Sequence, residues 1–263
     1  MSEWIYIPRN KKKSENTDLM NITFCIPYYG KNPSHTTILS TCISQIRKYY
    51  PVNPILVCKT SDSYMPSDIT YINLKVFNTF VDSSHVIGAV ELLIKECKTS
   101  HFIICHDSMF LIKELPKSVL DYRIFPLWHF NSHRYDFPII ECIKEDSTIT
   151  DTEQIAYMYN NEYAIKWYGL FGPAFGGQFE VLKEFWSILN INPININKYL
   201  GRNGINMCER YFSLIFTYMG IDTQKSLNGD IFKQPSAFKA TEIPDFNKLK
   251  YENSYFYKIW QGR

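Results

Sequence analysis

The sequence predicts an α/β fold, an open and mostly parallel sheet flanked by helices. Short apolar runs of strand length alternate with longer segments whose apolar residues recur at helical spacing. Each run stops at a loop bearing Pro, Asn, Asp or Ser. Strand–helix–strand order at these lengths calls for right-handed parallel crossovers, which an open sheet accommodates.

Residues 1–20 are polar and read as a flexible arm, with at most a short strand at residues 4–7. Residues 21–26 read as a buried strand that Pro27 stops, and residues 28–33 as the loop after it. Ser34 is a plausible N-cap for a helix through Tyr49, in which Ile38, Cys42, Ile46 and Tyr49 share one face. Pro51 and Pro54 end that helix, and residues 54–58 form the next strand, followed by the polar loop 59–63. A third strand spans 72–77, and a helix over 84–97 keeps Val86, Val90, Leu93 and Ile94 on one side. The apolar run 101–105 is the fourth strand and breaks off in His106-Asp107-Ser108. Ligands of such sheets bind beyond the carboxyl ends of the strands, so the loops 27–33, 59–63 and 106–109 fall at one edge.

Later segments are less regular. Residues 125–130 read as a further strand and 144–162 as loop or short helix. Residues 167–178 are a turn region rich in Gly and aromatics, 179–189 a helix, 197–204 a loop and 207–219 a helix. The stretch from Asp230 onward is irregular and aromatic. Residues 21–263 are expected to form a single domain, with 21–110 and 111–263 as its halves.

The chain carries 28 Lys+Arg against 26 Asp+Glu, and a net charge of +2 argues against a dedicated nucleic-acid binder. The basic run 11–13 reads as a solvated tail. Seven cysteines, an odd number without CxxC pairs, fit reduced thiols and a cytoplasmic setting, the host cytoplasm if the source is viral. The sequence shows no secretory signal and no apolar run of the ~20 residues that span a bilayer, so no transmembrane segment is expected. With 18 Phe, 19 Tyr and 5 Trp, the chain has rings for carbohydrate contacts, although most rings belong in a core.

Several constellations can carry chemistry. Asp107 with Ser108 and His106 is either a carboxylate site for a divalent cation and a diphosphate, or a turn cap after a strand. Pro27, Tyr28 and Tyr29 either frame a nucleobase or cover the sheet edge. Asp62 is either a base or ribose acceptor or a solvated turn residue. The glycines of 172–178 either let backbone approach a ligand or form a plain turn. Glu209 is either a general base at a helix start or a solvated partner of Arg210, and Arg202 and Arg210 are candidate phosphate clamps. His129 and His133 stand four apart, but Pro126 and Asn131 argue against the helix that zinc binding at that spacing needs. The chain contains no P-loop, no GxSxG and no HExxH.

The order of these pieces resembles the GT-A fold glycosyltransferases, above all the glycosyltransferase 2 family. ITFCIPYYG at 22–30 is similar to the family's opening strand–Pro–Thr–Tyr–Asn motif, with Tyr29 at the tyrosine beside the nucleobase. Residues 88–109 look like the helix and strand leading into its Asp-x-Asp motif, of which Cys105-His106-Asp107-Ser108-Met109 resembles a His-Gln-Asp-Val variant. Gly176-Gly177-Gln178 resembles its acceptor-side loop, and Cys208-Glu209-Arg210 falls at its Glu-Asp. The resemblance covers roughly residues 20–220 and departs where Cys58-Lys59 replace the Asp-Asp after the second strand and where the second acid of Asp-x-Asp is missing.

What the resemblance implies is a GT-A-like, Rossmann-like sheet and a hexosyltransferase-type, inverting enzyme of glycan biosynthesis. Its donor would be a nucleotide-diphosphate sugar such as a UDP-sugar, held by Pro27, Tyr28, Tyr29, Asp62, His85, Asp107 and Ser108. A divalent cation, Mn²⁺ or Mg²⁺, would sit on Asp107 and His106. Gly176, Gly177 and Gln178 would meet a glycan, protein or lipid acceptor, and Glu209 would deprotonate its hydroxyl. The alternative is an inactive GT-A-like protein that binds a nucleotide or a glycan.

Overall fold

A computed structural model describes residues 21–59, 65, 74–78, 85–131, 138–161, 167–191, 195–199, 201–233, 242–249 and 254–259. Elements follow in chain order as β1 (Ile22–Tyr28), α1 (Ser34–Tyr49), β2 (Ile55–Lys59), β3 (Leu74–Asn78), α2 (His85–Glu96), β4 (His101–Ile104), β5 (Met109–Leu111), β6 (Ile124–Pro126) and β7 (His129–Asn131). They continue as α3 (Ile139–Asp146), α4 (Thr152–Asn160), β8 (Tyr168–Leu170), β9 (Phe175–Gln178), α5 (Phe179–Ile188), α6 (Gly201–Tyr218) and β10 (Phe256–Lys258). The expected N-terminal arm, the strand at residues 4–7, Asp62, His133 and Trp260 to Arg263 lie outside the described residues.

The central sheet has six strands in the order β3-β2-β1-β4-β9-β6. The first four run parallel, and β9 is antiparallel to both β4 and β6. This mostly parallel sheet with flanking helices is compatible with a Rossmann-like fold. The chain moves outward from β1 through β2 to β3, then crosses back to lay β4 on the other side of β1. The strand order therefore reverses between β1 and β4, the position where open α/β sheets leave a crevice.

Strand alternation divides the interior into two layers. Ile22, Phe24, Ile26 and Tyr28 of β1 join Ile38, Leu39, Cys42, Ile43 and Ile46 of α1 in one. Cys25 of β1, Leu56 and Cys58 of β2, and Phe102 and Ile104 of β4 join α2, α5 and α6 in the other. Right-handed crossovers in opposite directions put α1 and α2 on opposite faces. All seven cysteines are buried free thiols. Among the described residues, no helix is long and apolar enough to cross a membrane.

Several elements differ from expectation for identifiable reasons. Pro27 does not stop β1, because Pro27 and Tyr28 still pair with Cys58 and Lys59 of β2. The Cys105 N–H donates to the Cys25 carbonyl at 3.1 Å, so Cys25 faces β4, and Pro27, two residues on, faces the same side. Pairing with β4 ends at Cys25 and Ile104, and a residue without an N–H is tolerated there. The expected strand 125–130 is two strands of different sheets, β6 and β7, parted at Leu127 and Trp128. The irregular tail contributes β10, which pairs with β5.

The expected loop 197–204 is largely helix, since α6 begins at Gly201. Gly204 reads as a breaker in sequence, yet it is the residue the packing requires. A Cβ there would lie 2.1 Å from the Tyr199 carbonyl carbon. Beside this contact, the buried Asp146 carboxylate accepts from Tyr199 Oη and Asn195 Nδ2, each at 2.7 Å, and the Asp146 carbonyl accepts from Tyr211 Oη at 3.0 Å. Phe216 of the same helix packs on Phe185 and Phe175 at ring distances of 4.5 and 5.3 Å. These contacts fix how α6 lies against the end of the sheet.

Gly→Ala in a helix interior ordinarily stabilises by about 0.5–1 kcal/mol. Gly204→Ala is expected to do the reverse, losing about 1–3 kcal/mol to overpacking against the Tyr199 backbone. Urea denaturation of the two proteins measures the sign.

Candidate functional site

The switch point between β1 and β4, where open α/β sheets bind ligands, is bounded by the loop after β1 and the turn after β4. Tyr28 ends β1 with its side chain fully buried, in the same register as Phe24 and Ile26. It is a core residue and presents no ring face to a base, which corrects its expected place in the donor site. Pro27 is likewise strand backbone. Tyr29, half-buried, is the ring at the mouth, and the Lys31 ammonium lies 4.6 Å from its centroid. The Lys31 N–H donates to His35 Nδ1 at 3.2 Å, which fixes the course of that loop.

The turn after β4 is closed by the Met109 N–H donating to the His106 carbonyl at 2.9 Å. Asp107 and Ser108 form its middle, and both are buried. From one side the Cys42 thiol of α1 reaches the Met109 carbonyl at 3.4 Å. From another side β10 closes on it: Lys258 Nζ donates to Ser108 Oγ, and the Ile259 N–H donates to the Ser108 carbonyl at 3.0 Å. The turn is therefore held by residues from α1 and from the far end of the chain.

Gly172 links this turn to α6. Its φ of +61° is a left-handed conformation that glycine adopts without penalty. The Gly172 carbonyl accepts from His106 Nε2, so that nitrogen carries the ring proton. The Gly172 N–H donates to Glu209 Oε1 at 2.8 Å. One residue of backbone thus joins the β4 turn to a carboxylate on α6.

Glu209 is buried, and burial pushes its carboxyl up from 4.5 to about 7. The Gly172 N–H and Arg210 pull the other way but do not cancel the desolvation. Arg210 is buried too. Its Nη1 donates to the Asn206 carbonyl at 2.7 Å and lies 3.5 Å from Glu209 Oε2, and its guanidinium stands 5.0 Å from the Phe130 ring centroid. It lies behind the carboxylate as its partner, which corrects its expected role as a phosphate clamp. Glu209 itself sits well inside α6 and not at its start.

The expected acceptor residues fall elsewhere. Gly176 and Gly177 are buried strand residues of β9, where the lack of side chains leaves room for the Phe125 ring at Gly176 and for the Arg123 backbone at Gly177. Because β9 is antiparallel to β4, Gln178 pairs with His101 at the start of β4. It lies at the opposite edge of the sheet from Asp107, so the segment at the cleft is 171–174 and not 176–178. His85 opens α2 and Arg202 lies in the first turn of α6. The side chains of both, and Asp62 altogether, are outside the described residues.

The donor set also bears on the expected metal. A divalent cation favours carboxylate oxygens. Among the described residues, no group of three or more His, Cys, Asp or Glu side chains is placed to hold one. Asp107 supplies a single carboxylate, and His106 Nε2 is a donor to Gly172. These residues do not fit a protein-built metal centre. Lys258 is the residue at this turn that sequence reasoning missed, whereas Gly172 falls in the glycine-rich stretch 172–178 singled out from sequence.

In sequence comparisons, no family model and no curated protein matches this chain.

The raised carboxyl of Glu209 has a thermodynamic signature. Between pH 4.5 and about 7 the folded protein keeps a proton that the unfolded chain has released, so stability falls as pH rises through that window. Full ionisation removes on the order of 3 kcal/mol. Glu209→Gln, which cannot ionise, is expected to match the wild type at pH 4 and to exceed it in stability by that order at pH 8. Denaturant midpoints at the two pH values test this.

Proposed function

We propose that this protein is a GT-A-type glycosyltransferase. It moves a sugar from a nucleotide-diphosphate sugar to an acceptor hydroxyl with inversion at the anomeric carbon. The observation that carries the reading is Glu209. It is a buried carboxylate brought to about 7 by desolvation and hydrogen-bonded to the loop that also receives His106 of the β4 turn. The reversal of strand order between β1 and β4 supports it, since nucleotides bind at such switch points.

In this reading the nucleobase lies toward Tyr29 and the diphosphate toward Asp107 and Ser108. A general base works best with a pKa near the operating pH. Glu209 takes the acceptor's hydroxyl proton while the acceptor oxygen bonds to the anomeric carbon. The bond from that carbon to the β-phosphate oxygen breaks, and its electron pair leaves with the nucleoside diphosphate. Attack opposite the leaving group inverts the centre. The Gly172 N–H holds Glu209 Oε1 in place, and Arg210 stabilises the ionised form before the proton arrives.

A screen of UDP-, GDP-, CDP- and dTDP-sugars against glycan, peptide and lipid acceptors tests the reading. Released nucleoside diphosphate and glycosylated product are the readouts. Glu209→Gln is expected to lower turnover by about 10²–10⁴-fold. The wild-type rate should rise with pH through a midpoint near 7, as the base ionises, and the variant should lose that limb. Binding without turnover, equal in wild type, Asp107→Ala and Glu209→Gln, would make the protein a non-catalytic nucleotide- or glycan-binding module.

A further inference from the structure

We propose that Lys258 is the fixed cation that receives the donor's diphosphate, so that the site operates without a divalent metal. This rests on the nucleotide-sugar reading and specifies how that site neutralises charge. A diphosphate brings two negative charges, and its leaving oxygen gains another as the glycosidic bond breaks. Fixed donors or a cation have to meet that charge. The residues at the β4 turn do not assemble a metal centre, but they do assemble an ammonium.

The placement of Lys258 is built in. It stands opposite Met109 in the antiparallel pairing of β10 with β5. Its Nζ donates to Ser108 Oγ, across 150 residues of sequence. The strand carrying it is pinned on both sides. Asn228 Oδ1 accepts from the backbone N–H groups of Tyr255 and Phe256, at 2.7 and 3.1 Å. Phe256 is buried against Trp128 at a ring distance of 6.3 Å, and Ile259 is fully buried. Phe256, Tyr257 and Ile259 around it are buried, and Lys258 itself is half-buried.

Its charge belongs to the same locality as Asp107. The Cys42 thiol, held high first by its hydrogen bond with Cys105 and then by burial, is pushed further up by Asp107 and pulled down by Lys258. Both charges therefore act on one sulfur atom beneath the turn. Arg210, a second cation on this side of the sheet, lies buried against Glu209 and Phe130, and the Lys31 ammonium lies over the Tyr29 ring. Lys258 is a compact ammonium with donors only, a point charge of the kind that binds phosphate oxygens. In the transfer step the electron pair of the broken bond goes to the β-phosphate oxygen, and the Lys258 ammonium stabilises the charge formed there. The acceptor proton goes to Glu209, so no further reactant is needed.

Calorimetric titration with UDP, GDP, CDP, dTDP and inorganic pyrophosphate, in EDTA and in Mg²⁺ or Mn²⁺, tests the proposal, with the parent nucleosides as controls. At least one diphosphate is expected to bind the wild type in EDTA. Lys258→Met should weaken that binding by about tenfold or more and leave nucleoside binding unchanged. Lys258→Arg, which keeps the charge, should recover part of the loss. Binding that needs Mg²⁺ or Mn²⁺ and is unaltered in Lys258→Met would overturn the proposal while leaving the nucleotide-sugar reading intact. Failure of the wild type to bind any nucleoside diphosphate in either condition would overturn that reading as well. If Lys258→Met does not fold, the wild type decides alone, since loss of diphosphate binding on chelation refutes the proposal.

Discussion

The candidate site is organised by one interruption: β1 and β4 stop pairing at Cys25 and Ile104, three residues before β1 ends. The last rung is the Cys105 N–H on the Cys25 carbonyl, and the next residue of β1 on that side is Pro27, which has no N–H to offer. The two strands part there while β1 continues against β2. The β4 chain is released to turn at residues 106–109, and the β1 loop is released to carry Tyr29 to the surface. The loop after β1 and the turn after β4 both begin at this interruption of the ladder.

Much of the fold could be read from the sequence because parallel strands and their crossover helices are local signals. Apolar runs and helical spacing located β1 through β4 and the helices between them to within a few residues. Asp107 was legible for the same reason, as an acid standing where a buried run breaks. Tyr28 and Tyr29 were not distinguishable once Pro27 was taken as a stop. With the strand extended, Tyr28 falls into register with Phe24 and Ile26 and must be core. Gly204 misled because a glycine required for close packing looks like one required for a turn. Lys258 lay beyond local reading, since its role comes from a three-residue strand paired with residues far away in sequence.

The electrostatics of the site are arranged in layers. Arg210 sits behind Glu209, the Gly172 N–H meets its other oxygen, and the protein around them excludes enough water to keep the carboxyl near neutrality. Both partners pull the group toward the ionised form, and burial, the largest influence, outweighs them. The balance costs folding stability at physiological pH, as is common where a polar group is placed for use and not for packing. The hydrogen bond that His106 donates to the Gly172 carbonyl then links that carboxylate to the β4 turn through a single residue of backbone.

The pairing of β10 with β5 also sets a timetable for biosynthesis. Ser108 and Lys258 are separated by 150 residues. At roughly 5–20 residues per second, a ribosome needs on the order of 8–30 s to bridge that interval. During that time β1 through β4 can already assemble, while Met109, Phe110 and Leu111 stand as an apolar strand without its partner. An unpaired edge of that kind can recruit a wrong strand. The nascent chain therefore passes through a window in which four of the six strands of its central sheet can be in place while the turn after β4 still lacks β10.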